Sequence, residues 1–382
     1  MKKYATITVL FAIVSVQYAQ ATEVPFVDLE GHTRYIIHAT FSPDGKKVVT
    51  SGWTDGTARM WDAETGRELK QLVKKPVFSP VGRFVRFATF SPDGKRVAVG
   101  VNNNVLIFDA ESGEELRMLE KRGSWGGISS AVFSPDGTKL VSHDGLNIRI
   151  SDTETGRELT MLMLEGHRRT IYSAVLSSDG KRVLTSHQDG IARIWDADIG
   201  SANFGKELKT LGGRLDRVYV YSAAFSPDGK KVITSSWNDV TIWDTEAGEK
   251  LKTLKVRSNH SGNNNFAAFS SDGKKIISGA FDTVVIWDAD TGEELQKIEK
   301  HRDTYGFHSI LLSPDGKRIL AFSYDNTAQI WNAKSGEKLK KLEGPKMLET
   351  HGSNMHIAFS PDSKRVVMVG NNVKTARIWT LE

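Results

Sequence analysis

The chain has 382 residues, of which 39% are hydrophobic and 25% are charged, a composition typical of soluble globular proteins. The formal net charge is +5, but both signs are interspersed and no long block of Lys and Arg occurs, so we expect no nucleic-acid binding. The absence of cysteine excludes disulfides, thiolate nucleophiles and cysteine-ligated metal sites.

The first 21 residues have the pattern of a signal peptide. Lys2 and Lys3 precede a mostly apolar run over residues 5–16, and Ala19-Gln20-Ala21 matches the small-x-small pattern read by signal peptidases. The apolar run is shorter than the roughly 20 residues that span a bilayer. We therefore expect cleavage after Ala21, no membrane span, a mature domain over residues 22–382 and a periplasmic or secreted location.

A Ser-Pro-Asp-Gly turn, or a close variant of it, recurs eight times along the chain. The copies are 43–49 residues apart and begin at Ser42, Ser91, Ser134, Ser177, Ser226, Ser270, Ser313 and Ser360. Each copy follows a short apolar run and precedes a β-branched run. Two such runs joined by an Asp-Gly turn predict a β-hairpin.

Two further strands complete each repeat. A third apolar run ends at Trp or a related position, as in 58–61. In seven repeats it leads through a turn such as Asp-Ala-Glu-Thr-Gly into a fourth run of alternating charge and Leu, as in 67–72. The fourth repeat carries an insertion over 199–205 in this turn. Four antiparallel strands at this period predict a propeller blade.

The two termini predict how the ring closes. Residues 23–29 look like a fourth strand without the first three, and the last repeat stops at Trp379-Thr380-Leu381-Glu382, after its third strand. Pairing of the two segments would complete the eighth blade and remove an open edge. The predicted fold is therefore all-β: a single closed eight-bladed β-propeller of four-stranded antiparallel blades.

The repeats resemble the WD40 family in their Gly-His pair (Gly31-His32), their Asp-Gly turn and their Trp-Asp end (Trp61-Asp62). The resemblance implies a buried structural relay in which Asp, His, Ser or Thr, and Trp are linked. A catalytic triad has no reason to recur in three blades, which favours the structural role. The predicted relay residues are His32, Ser51, Asp55 and Trp61, then His167, Thr185, Asp189 and Trp195, then His260, Ser278, Asp282 and Trp287.

No metal or cofactor site is predicted. Asp288-Ala-Asp290-Thr-Gly292 resembles the start of a calcium loop, but other repeats read Asp-Ala-Glu-Thr-Gly or Asn-Ala-Lys-Ser-Gly at this place. These sequences share the ability to form a turn but not a set of calcium ligands, so we interpret the segment as a turn. The ten histidines are dispersed, without the spacing typical of a zinc site on a helix.

Aromatic and polar residues concentrate in the loops that precede the first strand and join the second to the third. Such residues are typical of partner hot spots, although several could instead wedge between blades. The predicted partner-binding face consists of Trp53, Trp125, Tyr172, His187, Tyr221, Trp237, Phe281, Tyr305 and Tyr324.

The favoured function is that of a non-catalytic exported scaffold for a protein or peptide, acting as a monomer or within a larger complex. The alternative is a propeller enzyme, or a carbohydrate or small-ligand binder, that uses the funnel of the central channel. Channel-side segments without acidic residues or histidine, such as Ser129-Ser130-Ala131, argue against a metal site in the funnel.

Overall fold

The computed structural model describes residues 24–74, 84–119, 127–162, 170–213, 219–237, 239–256, 266–299, 306–345, 356–370 and 373–381. Within these ranges the chain forms 32 β-strands in eight four-stranded antiparallel sheets. The same ranges contain no helix that is long and apolar enough to cross a membrane.

The first four blades follow chain order. Blade 1 consists of β2 (Ile36–Phe41), β3 (Lys47–Gly52), β4 (Thr57–Asp62) and β5 (Glu68–Val73). Blade 2 consists of β6 (Val85–Phe90), β7 (Arg96–Val101), β8 (Asn104–Asp109) and β9 (Glu115–Leu119). Blade 3 consists of β10 (Ser130–Phe133), β11 (Lys139–His143), β12 (Ile148–Asp152) and β13 (Glu158–Leu162). Blade 4 consists of β14 (Ile171–Leu176), β15 (Arg182–His187), β16 (Ala192–Asp196) and β17 (Glu207–Leu211).

The last four blades follow the same plan, except that blade 8 takes its outer strand from the N-terminus. Blade 5 consists of β18 (Ser222–Phe225), β19 (Lys231–Ser235), β20 (Asp239–Asp244) and β21 (Lys250–Lys255). Blade 6 consists of β22 (Phe266–Phe269), β23 (Lys275–Ala280), β24 (Thr283–Asp288) and β25 (Glu294–Glu299). Blade 7 consists of β26 (Phe307–Leu312), β27 (Arg318–Ser323), β28 (Thr327–Asn332) and β29 (Lys338–Glu343). Blade 8 consists of β30 (His356–Phe359), β31 (Arg365–Val369), β32 (Ala376–Thr380) and β1 (Phe26–Leu29).

The predicted closure of the ring is confirmed. β1 pairs antiparallel with β32 in a register that runs from Phe26 opposite Trp379 to Leu29 opposite Ala376. The first and last segments of the chain thus lie in one sheet, and blade 8 has no unpaired third strand.

The repeated turn has one geometry throughout. In the first copy the Ser42 hydroxyl donates to Asp44 Oδ1 at 2.5 Å and accepts from the backbone N–H of Lys47 at 2.9 Å. Gly45 adopts the left-handed conformation that the turn requires, with φ of 71°. All eight copies keep the Ser–Asp bond at 2.5–2.6 Å, so this short motif sets each inner hairpin locally.

The hydrophobic core lies between blades. One cluster joins Val49 and Met60 of blade 1 to Val97 and Val99 of blade 2. Another joins Trp61 of blade 1 to residues of blade 8. A single blade therefore buries its apolar surface only when neighbours flank it, as expected of repeat architectures.

Because the strands alternate in direction, the Ser-Pro-Asp-Gly turns lie on one side of the ring, which we refer to as the turn face. The second-to-third connections and the segments before each inner strand lie on the opposite side, the loop face. On the turn face, the basic residue that opens the second strand reaches the next blade: Lys139 Nζ donates to the carbonyl oxygens of Gly180 at 3.0 Å and Ala197 at 2.7 Å. On the loop face, the backbone N–H of Ile171 donates to Gly145 O of the preceding blade at 2.7 Å. These bonds hold neighbouring loops at a set spacing.

Candidate interaction face

The relay of blade 1 is a buried hydrogen-bond chain. His32 Nδ1 lies 2.7 Å from Asp55 Oδ2, and His32 Nε2 lies 2.8 Å from Thr50 Oγ1. The indole N–H of Trp61 donates to the same hydroxyl at 2.8 Å. Burial raises the pKa of Asp55, but hydrogen bonds from His32 and Thr57 outweigh it, so this pKa lies below its ordinary value. The chain ties the loop before β2 to β3 and β4.

The assignment of Ser51 to this relay is wrong, since Thr50 takes that place. Trp61 lies opposite Val48 in the β3–β4 ladder, and Thr50 is two residues from Val48 on the same side of the strand. Ser51 points to the other side, because successive strand residues alternate. Its hydroxyl is buried without a hydrogen-bond partner among the described residues.

Blade 4 contains a related but different chain. The Thr185 hydroxyl accepts from Trp195 Nε1 at 3.0 Å and lies 2.7 Å from Nε2 of His187. His187 is fully buried, so its assignment to an exposed partner-binding face is wrong. The carboxylate of Asp189 pairs with Arg193 at 3.2 Å. His167, the histidine predicted for this relay, lies outside the described residues.

Blade 6 keeps the hydroxyl–indole bond, with Trp287 Nε1 donating to Ser278 Oγ at 2.8 Å. Asp282 is buried beside Thr283, whose hydroxyl donates to it at 3.0 Å. His260 lies outside the described residues. Among the residues that the structure describes, no group of three or more His, Asp or Glu side chains could hold a metal ion.

Four aromatic residues of blades 4 and 5 form one continuous group on the loop face, which we refer to as the tyrosine cluster: Tyr172, Tyr219, Tyr221 and Trp237. The ring centroids of the three tyrosines are 5.6–6.3 Å apart, within the range of favourable aromatic contact. Trp237 Nε1 donates to the Tyr221 hydroxyl at 2.7 Å. The cluster is thus a preformed aromatic surface that spans a blade junction.

The tyrosine cluster is exposed and uncharged. Trp237 is 49% exposed and Tyr172 is 37% exposed. Burial, and then the neighbouring tyrosines, raise the pKa of Tyr172; burial likewise raises the pKa of Tyr221, so both phenols stay protonated at neutral pH. Nearby, Asp239 pairs with Lys255 at 2.6 Å, which offsets both charges. The four side chains of the cluster therefore offer aromatic faces and phenol hydroxyl groups that carry no charge at neutral pH.

The remaining predicted face residues form two smaller groups. Trp53 packs on Phe84 with ring centroids 5.9 Å apart, across the junction of blades 1 and 2. Phe281 of blade 6 lies 6.4 Å from Tyr324 of blade 7, which is 41% exposed. Trp125 and Tyr305 lie outside the described residues. The other described aromatic residues of the predicted face each contact an aromatic ring across a blade junction, whereas Trp237 contacts Tyr221 within blade 5.

Comparison with known proteins agrees with this geometry. The sequence profile described as "WD domain, G-beta repeat" matches residues 24–62, 158–196, 205–244 and 292–332. The chain contains four WD40 repeats. Each match begins with the outer strand of one blade and ends with the third strand of the next, so the WD40 sequence repeat is offset from the blade by one strand. That offset leaves β1 to complete blade 8.

A solved structure shows the same architecture for nearly the whole WD40 propeller. The chain is similar to the crystal structure of the computationally designed Ika8 protein, with 25% sequence identity and a TM-score of 0.73. The match covers 93% of this chain and 98% of that chain.

Three histidines that the sequence did not identify as one group form a row at the loop-face end of the channel wall: His308, His356 and His38, on the inner strands of blades 7, 8 and 1. A signal was present, because His38 and His356 each stand four residues before the serine of their repeated turn. Their proximity, however, depends on blades 1 and 8 meeting in the closed ring.

Proposed function

We propose that this WD40 propeller is a non-catalytic interaction scaffold that binds a protein or peptide partner on its loop face, through the tyrosine cluster. The observation that carries the proposal is the contact of Tyr172 with Tyr221 across the junction of blades 4 and 5, together with the hydrogen bond to Tyr221 from Trp237, which is half exposed. Exposed aromatic groups held on rigid elements are typical of partner hot spots.

Preorganisation supports the proposal. The indole N–H of Trp237 is already bonded to Tyr221, and the three tyrosine rings contact one another before any partner arrives. Little side-chain ordering would then be needed on binding, which leaves more of the contact energy as affinity.

The inner strands give a non-catalytic role further support. Enzymes that work in a propeller funnel need acids, bases or ligands on the channel wall. None of the eight described inner strands contains Asp or Glu. The described inner strands carry mostly small, apolar and aromatic side chains, together with Arg86 and the histidines His38, His308 and His356, so they offer bases but no carboxylate.

The proposed site of action is outside the cytoplasm, on the strength of residues 1–21. Fractionation of cells that express the full chain, followed by mass spectrometry of the N-terminus, tests this. We expect a mature chain that begins at Thr22 in the periplasmic or secreted fraction. An intact Met1 in the cytoplasmic fraction would contradict export without bearing on the binding face.

The binding proposal is tested with a Tyr172→Ala/Trp237→Ala variant. The immobilised protein captures partners from its own compartment, and each captured protein is then purified and titrated against wild type and variant. We expect the dissociation constant of a specific partner to rise at least about tenfold, which corresponds to about 1.4 kcal/mol.

Leu295→Ala is the matched control, because Leu295 is 49% exposed but lies on the outer strand of blade 6, away from the loop face. It should bind as wild type does. A partner whose affinity is the same for wild type and the double variant would show that the tyrosine cluster is not the docking site.

A further inference from the structure

A row of three histidines lines the channel where the ring closes. His308, His356 and His38 lie near the loop-face ends of β26, β30 and β2, which are the inner strands of three consecutive blades. His356 and His38 face each other across the junction between the last blade and the first. None of the other five described inner strands contains a histidine, so the row is not repeated among them.

The central pair is in close contact. The imidazole centroids of His38 and His356 are 4.1 Å apart, with an interplanar angle of 39°. Nδ1 of each ring is buried without a hydrogen-bond partner among the described residues. The backbone of Ala39 hydrogen-bonds to His356, and that of Ala88 hydrogen-bonds to His38, so each ring bridges to the next blade. The neutral imidazoles are thus part of the contact between blades.

The surroundings disfavour the charged form. Burial first, and then the neighbouring His356, lower the pKa of His38 well below its ordinary value. Burial likewise lowers the pKa of His356 to about 4, and His308 adds to that effect. Although the channel leaves each ring partly exposed, protein surrounds the rest of it.

No carboxylate on the surrounding strands could balance a new positive charge. The described strands packed against β2, β26 and β30 are β3, β6, β22, β23, β27 and β31, and none of them contains Asp or Glu. Their ionisable groups are all basic: Lys47, Arg86, Lys275, Arg318 and Arg365. Protonation of two imidazoles in contact would therefore add repulsion that no carboxylate on these described strands offsets.

We propose that protonation of this histidine row makes the junction between blades 8 and 1 the acid-labile point of the ring, which loosens before the other junctions. The direction of the pH dependence of stability follows from the linkage between proton binding and unfolding. A histidine whose pKa is lower in the folded state binds a proton more readily when unfolded, so stability falls as the pH drops from about 6.5 towards 4.

The test uses the full chain with His38→Gln, His356→Gln and the double variant, since Gln retains polarity without titrating. Urea unfolding is followed by tryptophan fluorescence between pH 8 and pH 4.5. Near pH 5, we expect the double variant to take up about two fewer protons on unfolding than wild type does, whereas near pH 8 the two should not differ. The coupling energy between the two substitutions should be larger near pH 5 than at pH 8.

His143→Gln is the matched control. Burial also lowers the pKa of His143 to about 4, but its ring lies on β11 of blade 3, away from the closing junction. This variant should remove about one proton of uptake and leave the coupling between His38 and His356 unchanged. Equal proton uptake by wild type and the double variant would overturn the proposal.

Hydrogen exchange of the wild type gives a second test that needs no variant. After correction for the intrinsic pH dependence, lowering the pH from 7 to 5 should reduce protection in β1, β2 and β30 more than in β18–β21, which contain no histidine. Uniform loss of protection around the ring would show that the closing junction is not the acid-labile point.

Discussion

Arg377 and Asp28, which are 349 positions apart in the chain, form a two-point ion pair between β32 and β1. Nε donates to Oδ1 at 2.6 Å and Nη2 donates to Oδ2 at 2.8 Å. The two residues lie directly opposite in the strand register, and the guanidinium carbon lies 3.8 Å from the Phe26 ring centroid. One side chain therefore fastens the N-terminal strand by charge, hydrogen bonds and a cation–π contact.

Removing that side chain is expected to weaken ring closure. Arg377→Ala should lower the free energy of unfolding by about 1–2 kcal/mol, since the pair is partly buried and bidentate. Urea unfolding at low salt measures the loss. Lys341→Ala is the control, because Lys341 makes a 3.6 Å pair with Glu343 that is largely exposed and should contribute little. Equal losses in the two variants would contradict a special role for Arg377.

The relay geometry predicts opposite outcomes at two adjacent positions. Thr50→Val removes the hydroxyl that lies between His32 and Trp61, so both are left without that partner; we expect a loss of about 1–3 kcal/mol. Ser51→Ala removes a buried hydroxyl without a described partner and should change stability little. Thermal melts of the two variants measure these changes in stability. If Ser51→Ala melted lower than Thr50→Val, the assignment of Thr50 to the relay would be contradicted.

The repeated turn of blade 2 is predicted to contribute to the stability of the fold in a pH-dependent way. The Ser91 hydroxyl, 2.5 Å from Asp93 Oδ1, is the main reason that the pKa of Asp93 lies below its ordinary value. A carboxylate with a lowered folded-state pKa contributes stability above its unfolded-state pKa of about 4, and loses it as the pH falls further. Ser91→Ala should therefore be more destabilising at pH 7 than at pH 3.

Urea unfolding of wild type and Ser91→Ala at both pH values measures that difference. Ser178→Ala is the control, because the Ser178 hydroxyl donates to the Pro227 carbonyl oxygen, which does not titrate. Its effect should be the same at both pH values. A penalty for Ser91→Ala that did not change with pH would argue against the carboxylate bond.

A tight contact in blade 2 predicts that a single added methyl group lowers the free energy of unfolding. Gly100 lies opposite Phe87 in the ladder, and a Cβ at Gly100 would overlap Cε1 and Cδ1 of the Phe87 ring. Gly100→Ala should destabilise the fold by about 1–3 kcal/mol, measured by urea unfolding. At Gly213 a Cβ would meet nothing within 4 Å, so Gly213→Ala should be neutral or slightly stabilising. Similar losses at both glycines would contradict the packing argument.

The architecture could be predicted from sequence because its signals are local. The bond from Ser42 to Asp44 spans two residues, and it recurs in all eight repeats, so turns, strands and blade number follow from the printed order. Closure by the N-terminal strand followed from counting strands at the two termini. The choice of Ser51 over Thr50 failed because a one-residue change in hairpin register reverses which side of the strand a residue occupies.

The interaction surfaces depend on which blades become neighbours. Aromatic loop residues were recognisable, but only the folded ring shows that Tyr172 and Trp237 belong to one cluster and that His187 is buried. His38 and His356 are 318 positions apart in the sequence and touch because the last blade packs against the first. The sequence by itself determined the repeats and their turns, which rest on short-range hydrogen bonds. Only the tertiary structure decided the contacts between blades, since these arise from packing between segments distant in the chain.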